Sequence, residues 1–263
     1  MLVLNDGVGV LMLRRSMRFL LLLYVALCAF LYLQQRRLIY QPSATRPVGQ
    51  APDFTLQREA GITLRGWIVH PEQTRALLYF GGNGERIEDL REDFDHWFPD
   101  RAVYLLPYRG YANSDGAPSE PALIDDALAL YDEAVVRHHG IAVIGRSLGS
   151  GVAVQLAARR SVERLALVTP FDSLAAVAQV HYPFVPVRWL LQDHYESWRY
   201  AAMVHCPVSI LAAAQDELVP PANTQRLAAS FRLAPPLLTI ANAGHNTLQD
   251  DPQYERTLVQ FLR

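Results

Sequence analysis

The stretch Ile141-Ala142-Val143-Ile144-Gly145-Arg146-Ser147-Leu148-Gly149-Ser150-Gly151-Val152-Ala153 decides how this chain is read. Its first four residues are apolar and β-branched, the composition of a buried strand. From Ser150 to Ala158 the residues are small or apolar and predict a helix. The turn between them is Gly-x-Ser-x-Gly. Strand, Gly-x-Ser-x-Gly and helix in succession are the setting of a nucleophile elbow. Such a turn is so tight that side chains flanking the serine would strike the adjoining strand and helix. Glycines relieve that clash and tolerate the strained backbone that projects the hydroxyl outward. An ordinary glycine-containing loop has the same five letters, so Ser147 is a candidate nucleophile whose standing depends on a base and an acid further along.

Both arrive in the order such a site needs, acid before histidine and each after a strand. Val208–Ala214 reads as a buried strand opened by Pro207, and it ends in Gln215-Asp216-Glu217. Pro235 and Pro236 introduce Leu237-Leu238-Thr239-Ile240, which ends in Ala243-Gly244-His245-Asn246. Asp216 and His245 therefore lie at strand ends, the edge where parallel sheets place their sites. An imidazole near neutrality can take the serine proton, and a carboxylate fixes its tautomer. Bland readings stand beside these: His245 as a surface loop residue, Asp216 as a helix cap. Glu217 and Asp172 are rival acids, Asp172 following the strand Leu165–Val168.

A site of this kind also needs amides aimed at developing negative charge. Ala76–Phe80 predicts a strand leading into Gly81-Gly82-Asn83-Gly84 and then a helix over 85–97. The expected donors are the amides of Asn83 and Leu148, with Gly82 beside them. A glycine-rich loop before a helix also suits phosphate, but this one lacks the ending of a P-loop and the spacing of a dinucleotide fingerprint.

At 263 residues and 51% hydrophobic, the chain is long enough for a substantial core. Expected strands cover 54–58, 62–69, 76–80, 102–106, 141–145, 164–169, 207–213 and 236–241. Expected helices cover 85–97, 121–138, 150–160, 187–192, 196–203, 221–231 and 251–262. Their alternation predicts an α/β architecture, a mainly parallel eight-stranded sheet flanked by helices. Pro183 and Pro186 break the region from Ser173 to Trp198 into short helices and turns. That region carries Tyr182, Phe184 and Trp189, which read either as an apolar wall for substrate or as packing on the sheet. Arg146 and Arg109 read either as contacts for an acidic substrate group or as structural ion pairs.

The amino end is separate. Phe19 to Leu33 is fifteen uncharged apolar residues, preceded by Arg14, Arg15 and Arg18 and followed by Arg36 and Arg37. Snorkelling arginines and Leu38-Ile39-Tyr40 extend it toward the ~20 residues a span needs. No small-x-small cleavage site follows, so it reads as an uncleaved single-pass anchor. Two parts are expected: residues 1–37 with the anchor at about 19–33, and a catalytic domain over 38–263. Basic residues flank both ends, with slightly more before the segment, which favours a cytoplasmic amino end. Every basic side chain other than histidine is arginine, which points to a GC-rich, bacterial coding sequence and hence the inner membrane.

Net charge is −2 with no basic stripe, so nucleic acid is not an expected partner. The eight histidines lack metal-ligand spacing, and no metal or organic cofactor is implied. The chain resembles the α/β-hydrolase superfamily, and within it the membrane-anchored Bem46 group with its ABHD17- and ABHD13-like relatives. The likeness runs through Tyr79–Asn83, Tyr108-Arg109-Gly110-Tyr111, Ser114-Asp115-Gly116, Pro118-Ser119-Glu120, Gly145–Gly151, Tyr182–Val187, Gln215–Pro220 and Gly244-His245-Asn246, and covers residues 38–263. It implies the α/β-hydrolase fold, Ser147, Asp216 and His245 as a triad, Asn83 at the first oxyanion position and a lid between the sixth and seventh strands. It departs at Gly81, where that group usually has histidine. The expected activity is serine-dependent cleavage of an ester or thioester with an apolar acyl group. Peptide or amide cleavage, and a non-catalytic binding role, are the alternatives.

Overall fold

The computed structural model describes residues 6–45 and 51–263. Helix α1 (Asp6–Ile39) leads by a 3₁₀ turn (Pro42–Thr45) toward the sheet. Then come β1 (Phe54–Gln57), β2 (Thr63–Val69), β3 (Ala76–Phe80), α2 (Arg91–Trp97) and β4 (Ala102–Leu105). These are followed by α3 (Glu120–Ala134), β5 (Ile141–Arg146), α4 (Leu148–Ala157) and β6 (Leu165–Val168). Helices α5 (Leu174–His181), α6 (Val187–Leu190) and α7 (Ser197–Ala201) lie between β6 and β7 (Val208–Ala213). The chain ends with α8 (Pro221–Ser230), β8 (Leu237–Ile240) and α9 (Pro252–Leu262).

The eight strands form one sheet in the order β1-β2-β4-β3-β5-β6-β7-β8. β1, β2 and β4 are joined antiparallel, and every later pairing is parallel. All eight expected strands are present. The central ones are apolar on both faces because both faces are covered. Alternate residues of β3 divide accordingly: Leu77 and Tyr79 join a core with Phe94 of α2 and Leu258 of α9, while Leu78 and Phe80 join one with Leu130 of α3 and Val152 of α4.

Two segments differ from expectation. The helix expected over 85–97 opens as a 3₁₀ turn (Ile87–Leu90), and α-helix begins only at Arg91. Glu85 turns its carboxylate back to the Gly82 amide, so the chain bends before it can wind. From Ser173 onward the expected short helices and turns are present as α5 and α6, the first capped by the Ser173 hydroxyl, which accepts from the Ala176 amide at 3.1 Å. The amino-terminal helix has 34 residues, extending on both sides of the apolar stretch 19–33, where Leu11 to Arg15 and Gln34 to Arg37 are good helix formers. It is long and apolar enough to cross a membrane. The boundary expected at 37/38 falls within its last turn.

At the bottom edge of the sheet Arg101 is wholly buried and pairs with Glu163, which also pairs with Arg75. Partial burial pushes the Glu163 carboxyl pKa up, but hydrogen bonds from Arg75 and Arg101 outweigh this and hold it below the ordinary glutamate value. A depressed carboxyl contributes stability above the ordinary glutamate range that is lost as pH falls through the native value. Glu163→Gln is expected to lower stability at neutral pH by about 1–3 kcal/mol, with the deficit shrinking toward acid. Urea titration of wild type and variant across pH checks this.

Candidate active site

The carboxyl ends of β3, β5, β7 and β8 converge on one cavity. Ser147 follows β5 with φ +49° and ψ −116°, a conformation an L-residue avoids. Its backbone is fixed from both sides. The Ser147 amide donates to the Val168 carbonyl at 2.9 Å, and its carbonyl accepts from the Ser150 amide and hydroxyl. The flanking glycines are steric necessities. A Cβ on Gly145 would lie 2.6 Å from that of Ala153, and one on Gly149 only 2.0 Å from the Phe80 carbonyl oxygen.

His245 follows β8 and is 3% exposed. Its Nε2 lies 2.9 Å from the Ser147 Oγ. Its Nδ1 lies 2.9 and 3.0 Å from the two carboxylate oxygens of Asp216. A carboxylate only accepts, so Nδ1 carries the hydrogen and Nε2 is left to accept from the serine hydroxyl. Asp216 is itself held by the amides of Leu218 and Val219, at 2.9 and 2.7 Å. The other carboxylates are elsewhere. Asp172 takes hydrogen bonds from Ser173, Asn223 and Arg226, tying the start of α5 to α8. Glu217 accepts from the His245 backbone amide. Asp216 is thus the carboxylate that reaches the imidazole.

Beneath the loop Gly81–Gly84 lies a residue to which the sequence assigned no role. The Glu85 carboxylate accepts from the Tyr79 hydroxyl at 2.9 Å and from the Gly82 amide, and it pairs with Arg146. Burial, then the Glu85 charge, pushes the Tyr79 phenol well above its ordinary pKa, so it remains a donor. Burial alone would lower the Arg146 pKa, but Glu85 outweighs it and keeps the guanidinium charged. Arg146 also donates to Gln249 at 3.0 Å. It lines the cavity with its charge already matched, which is the structural-pair alternative. Arg109 is likewise paired, with Asp126. A first side-chain atom on Gly81 would sit 2.6 Å from the Ile87 methyl and 3.0 Å from the Glu85 carboxylate. Ile87, with Glu85 beside it, thus crowds the place of any side chain at 81.

Gly82, Asn83 and Leu148 all border the cavity. The Gly82 amide is taken by Glu85. The Asn83 side chain faces away. It donates to the Ile39 carbonyl and accepts from the Gln41 amide and the Tyr111 hydroxyl, at 3.1 and 2.7 Å. The loop is therefore bonded directly to the end of α1. The Glu85–Arg146 pair and the Asn83–Ile39 link join residues far apart in the chain and leave no local signature, which is why they escape sequence reading.

The cavity has a volume of about 650 Å³, within the range of small-molecule sites. Apolar side chains of Phe171, Leu174, Val177 and Val219 form its walls, together with Leu38 and Ile39 of α1. Tyr182 also lines it, but Phe184 and Trp189 do not: they are 87% and 86% exposed. Pro183 and Pro186 turn this segment so that Val187 packs inward and the two aromatic rings face out.

No family model matches the chain. It is 38% identical over 234 residues, 82% of each chain, to an uncharacterized protein of Mycobacterium tuberculosis. It is 29% identical over 225 residues, 73% of each chain, to the protein bem46 of Schizosaccharomyces pombe. Among solved structures the esterase Pf2001 of Pyrococcus furiosus superposes with a TM-score of 0.65 at 17% identity, over 82% of this chain and 96% of that one, a likeness of fold. With the sheet order, the strained serine turn and relatives along most of its length, the chain belongs to the Bem46-like family of α/β hydrolases.

Proposed function

We propose that this chain is a membrane-anchored serine hydrolase that cleaves an ester or thioester bearing an apolar acyl group. The observation that carries the reading is the unbroken hydrogen-bonded line Asp216–His245–Ser147 at a strained turn on the cavity floor. The Ser147 Oγ attacks the acyl carbon while His245 Nε2 takes its proton, and Asp216 stabilises the imidazolium that results. Negative charge gathers on the former carbonyl oxygen, facing the amides of Asn83 and Leu148. His245 returns the proton to the departing alcohol or thiol, leaving the acyl group on Ser147. Water, deprotonated by the same imidazole, then releases the acid. The apolar walls, with Leu38 and Ile39 among them, favour an acyl chain over a peptide.

Helix α1 supports the anchor. Leu20 to Leu23 are 52–67% exposed, and such a surface suits lipid rather than water. In this reading Arg14, Arg15 and Arg18 lie on the cytoplasmic side of a bacterial inner membrane. Protease added to intact spheroplasts is expected to digest the catalytic domain; full protection would reverse the orientation.

Ser147→Ala and His245→Ala are each expected to abolish fluorophosphonate labelling and to lower ester kcat/KM by about 10³-fold or more. Asp216→Asn should cost about 10³–10⁴ in kcat while leaving measurable turnover. Unlabelled but folded wild type would favour a binding protein of this fold. Glu85 is a positioning residue for the loop at Gly82. Glu85→Gln should lower kcat about tenfold, less than the ~10²–10³ lost with an oxyanion donor itself, with KM little changed. Steady-state kinetics on a short-chain ester separates the two parameters.

A further inference from the structure

A second cavity, of about 450 Å³, adjoins the one at Ser147. The two share Leu38, Ile39, Ala178 and Tyr182 as lining residues, so they lie side by side along these four side chains. On one side the second cavity is bounded by Phe30, Leu31 and Gln35 of α1; on the other, by Val185, Val187 and Leu190 of the segment after α5. Nearly all of this lining is hydrocarbon. The first cavity holds the reactive serine, and the second leads away from it along the anchor.

Its direction follows from the helix. Tyr24 lies fifteen residues before Ile39, about 22 Å along the axis. The Tyr24 hydroxyl donates to the Phe184 carbonyl at 2.9 Å. The segment carrying Phe184 therefore runs beside the apolar stretch 19–33. Tyr24, Cys28, Leu31, Gln35 and Ile39 recur every three or four residues, the spacing of one helix face. Cys28, Leu31, Gln35 and Ile39 are more covered than most of their neighbours, and this face is turned to the segment. Phe184 and Trp189 point outward on the same segment, almost fully exposed. A lone exposed aromatic needs no account, but two beside a membrane-length helix suit the lipid interface.

The arrangement is braced. Gln35 donates to the Leu190 carbonyl at 3.0 Å and accepts from the Gln192 amide at 2.7 Å. Arg36 makes a two-pronged pair with the buried Asp193, which also accepts from the Tyr40 hydroxyl at 3.1 Å. These bonds hold α1 against the segment and leave the apolar gap between them.

We propose that the gap is an acyl-chain slot, walled by the anchor helix and the Tyr182–Leu191 segment, that opens into the membrane leaflet and delivers the head of a membrane-borne acyl ester or thioester to Ser147. The anchor is then part of the binding site, not merely a tether. The occupant is one hydrocarbon chain, which enters from lipid without crossing water. This inference rests on the hydrolase reading above.

The test uses the full chain in lipid nanodiscs. A fluorophosphonate on a hexadecyl chain, with a photoreactive diazirine near the chain end, is allowed to label Ser147 and is then irradiated. The expected cross-links fall within residues 30–39 and 185–191. Labelling of Ser147 with cross-links confined elsewhere overturns the slot and leaves the hydrolase reading standing. No labelling of Ser147 removes both. Independently, Leu31→Trp and Leu190→Trp fill the gap from either side. Each is expected to lower the palmitate-to-acetate ratio of kcat/KM on nitrophenyl esters about tenfold or more, while labelling by a short fluorophosphonate reports an intact site. An unchanged ratio in both variants, with labelling retained, overturns the proposal. A palmitoyl lipid ester and an S-palmitoyl peptide, each in the same nanodiscs, then tell which source of the chain is used.

Discussion

The site depends on how closely the start of α4 approaches the end of β3. At Gly149 no side-chain atom fits, because the Phe80 carbonyl already occupies that place. This contact brings Ser147 beside the loop at Gly82, so that the serine and the loop are placed by one packing event. The strain at Ser147 is sustained by the same contact. Val168 and Ser150 hold its backbone, and the apolar core on both sides of β5 keeps the strand from moving to relieve it.

Around that contact the chain uses buried charge for orientation. Glu85 and Arg146 face each other beneath the serine turn, and neither would be tolerated there alone. Pairs of this kind contribute little net stability, since desolvation offsets their attraction. They do specify geometry: Glu85 draws in the Gly82 amide and seats the loop. Asp193 acts in the same way beside α1, where Arg36 and Tyr40 converge on it. Asn83 joins the two systems, with its backbone beside Ser147 and its side chain on the end of α1.

The strands were legible because each central one is a short apolar run bounded by glycine or proline, a pattern that survives any tertiary arrangement. The serine turn was legible because its pattern spans five residues, although the contacts that demand its glycines, with Ala153 and Phe80, lie outside them. The choice among Asp172, Asp216 and Glu217 was not closed by spacing. All three lie near strand ends, and only the path of the chain shows that Asp172 meets Arg226 and that Glu217 meets a backbone amide. Phe184 and Trp189 were drawn toward the substrate by their chemistry, and two prolines turned them outward.

Composition and order by themselves determined the alternating architecture, the apolar amino-terminal helix, the glycine-flanked serine and the strand-end positions of Asp216 and His245. Each is a local property, written in hydrophobic period or in the steric demands of one turn. Tertiary structure alone decided which carboxylate reaches the imidazole, that Glu85 underlies the loop, and that Leu38 and Ile39 wall the cavity. Apart from the short links from Glu85 to Gly82 and Tyr79, those depend on side chains meeting across tens to more than a hundred residues, where sequence carries no distance and only the folded sheet supplies one.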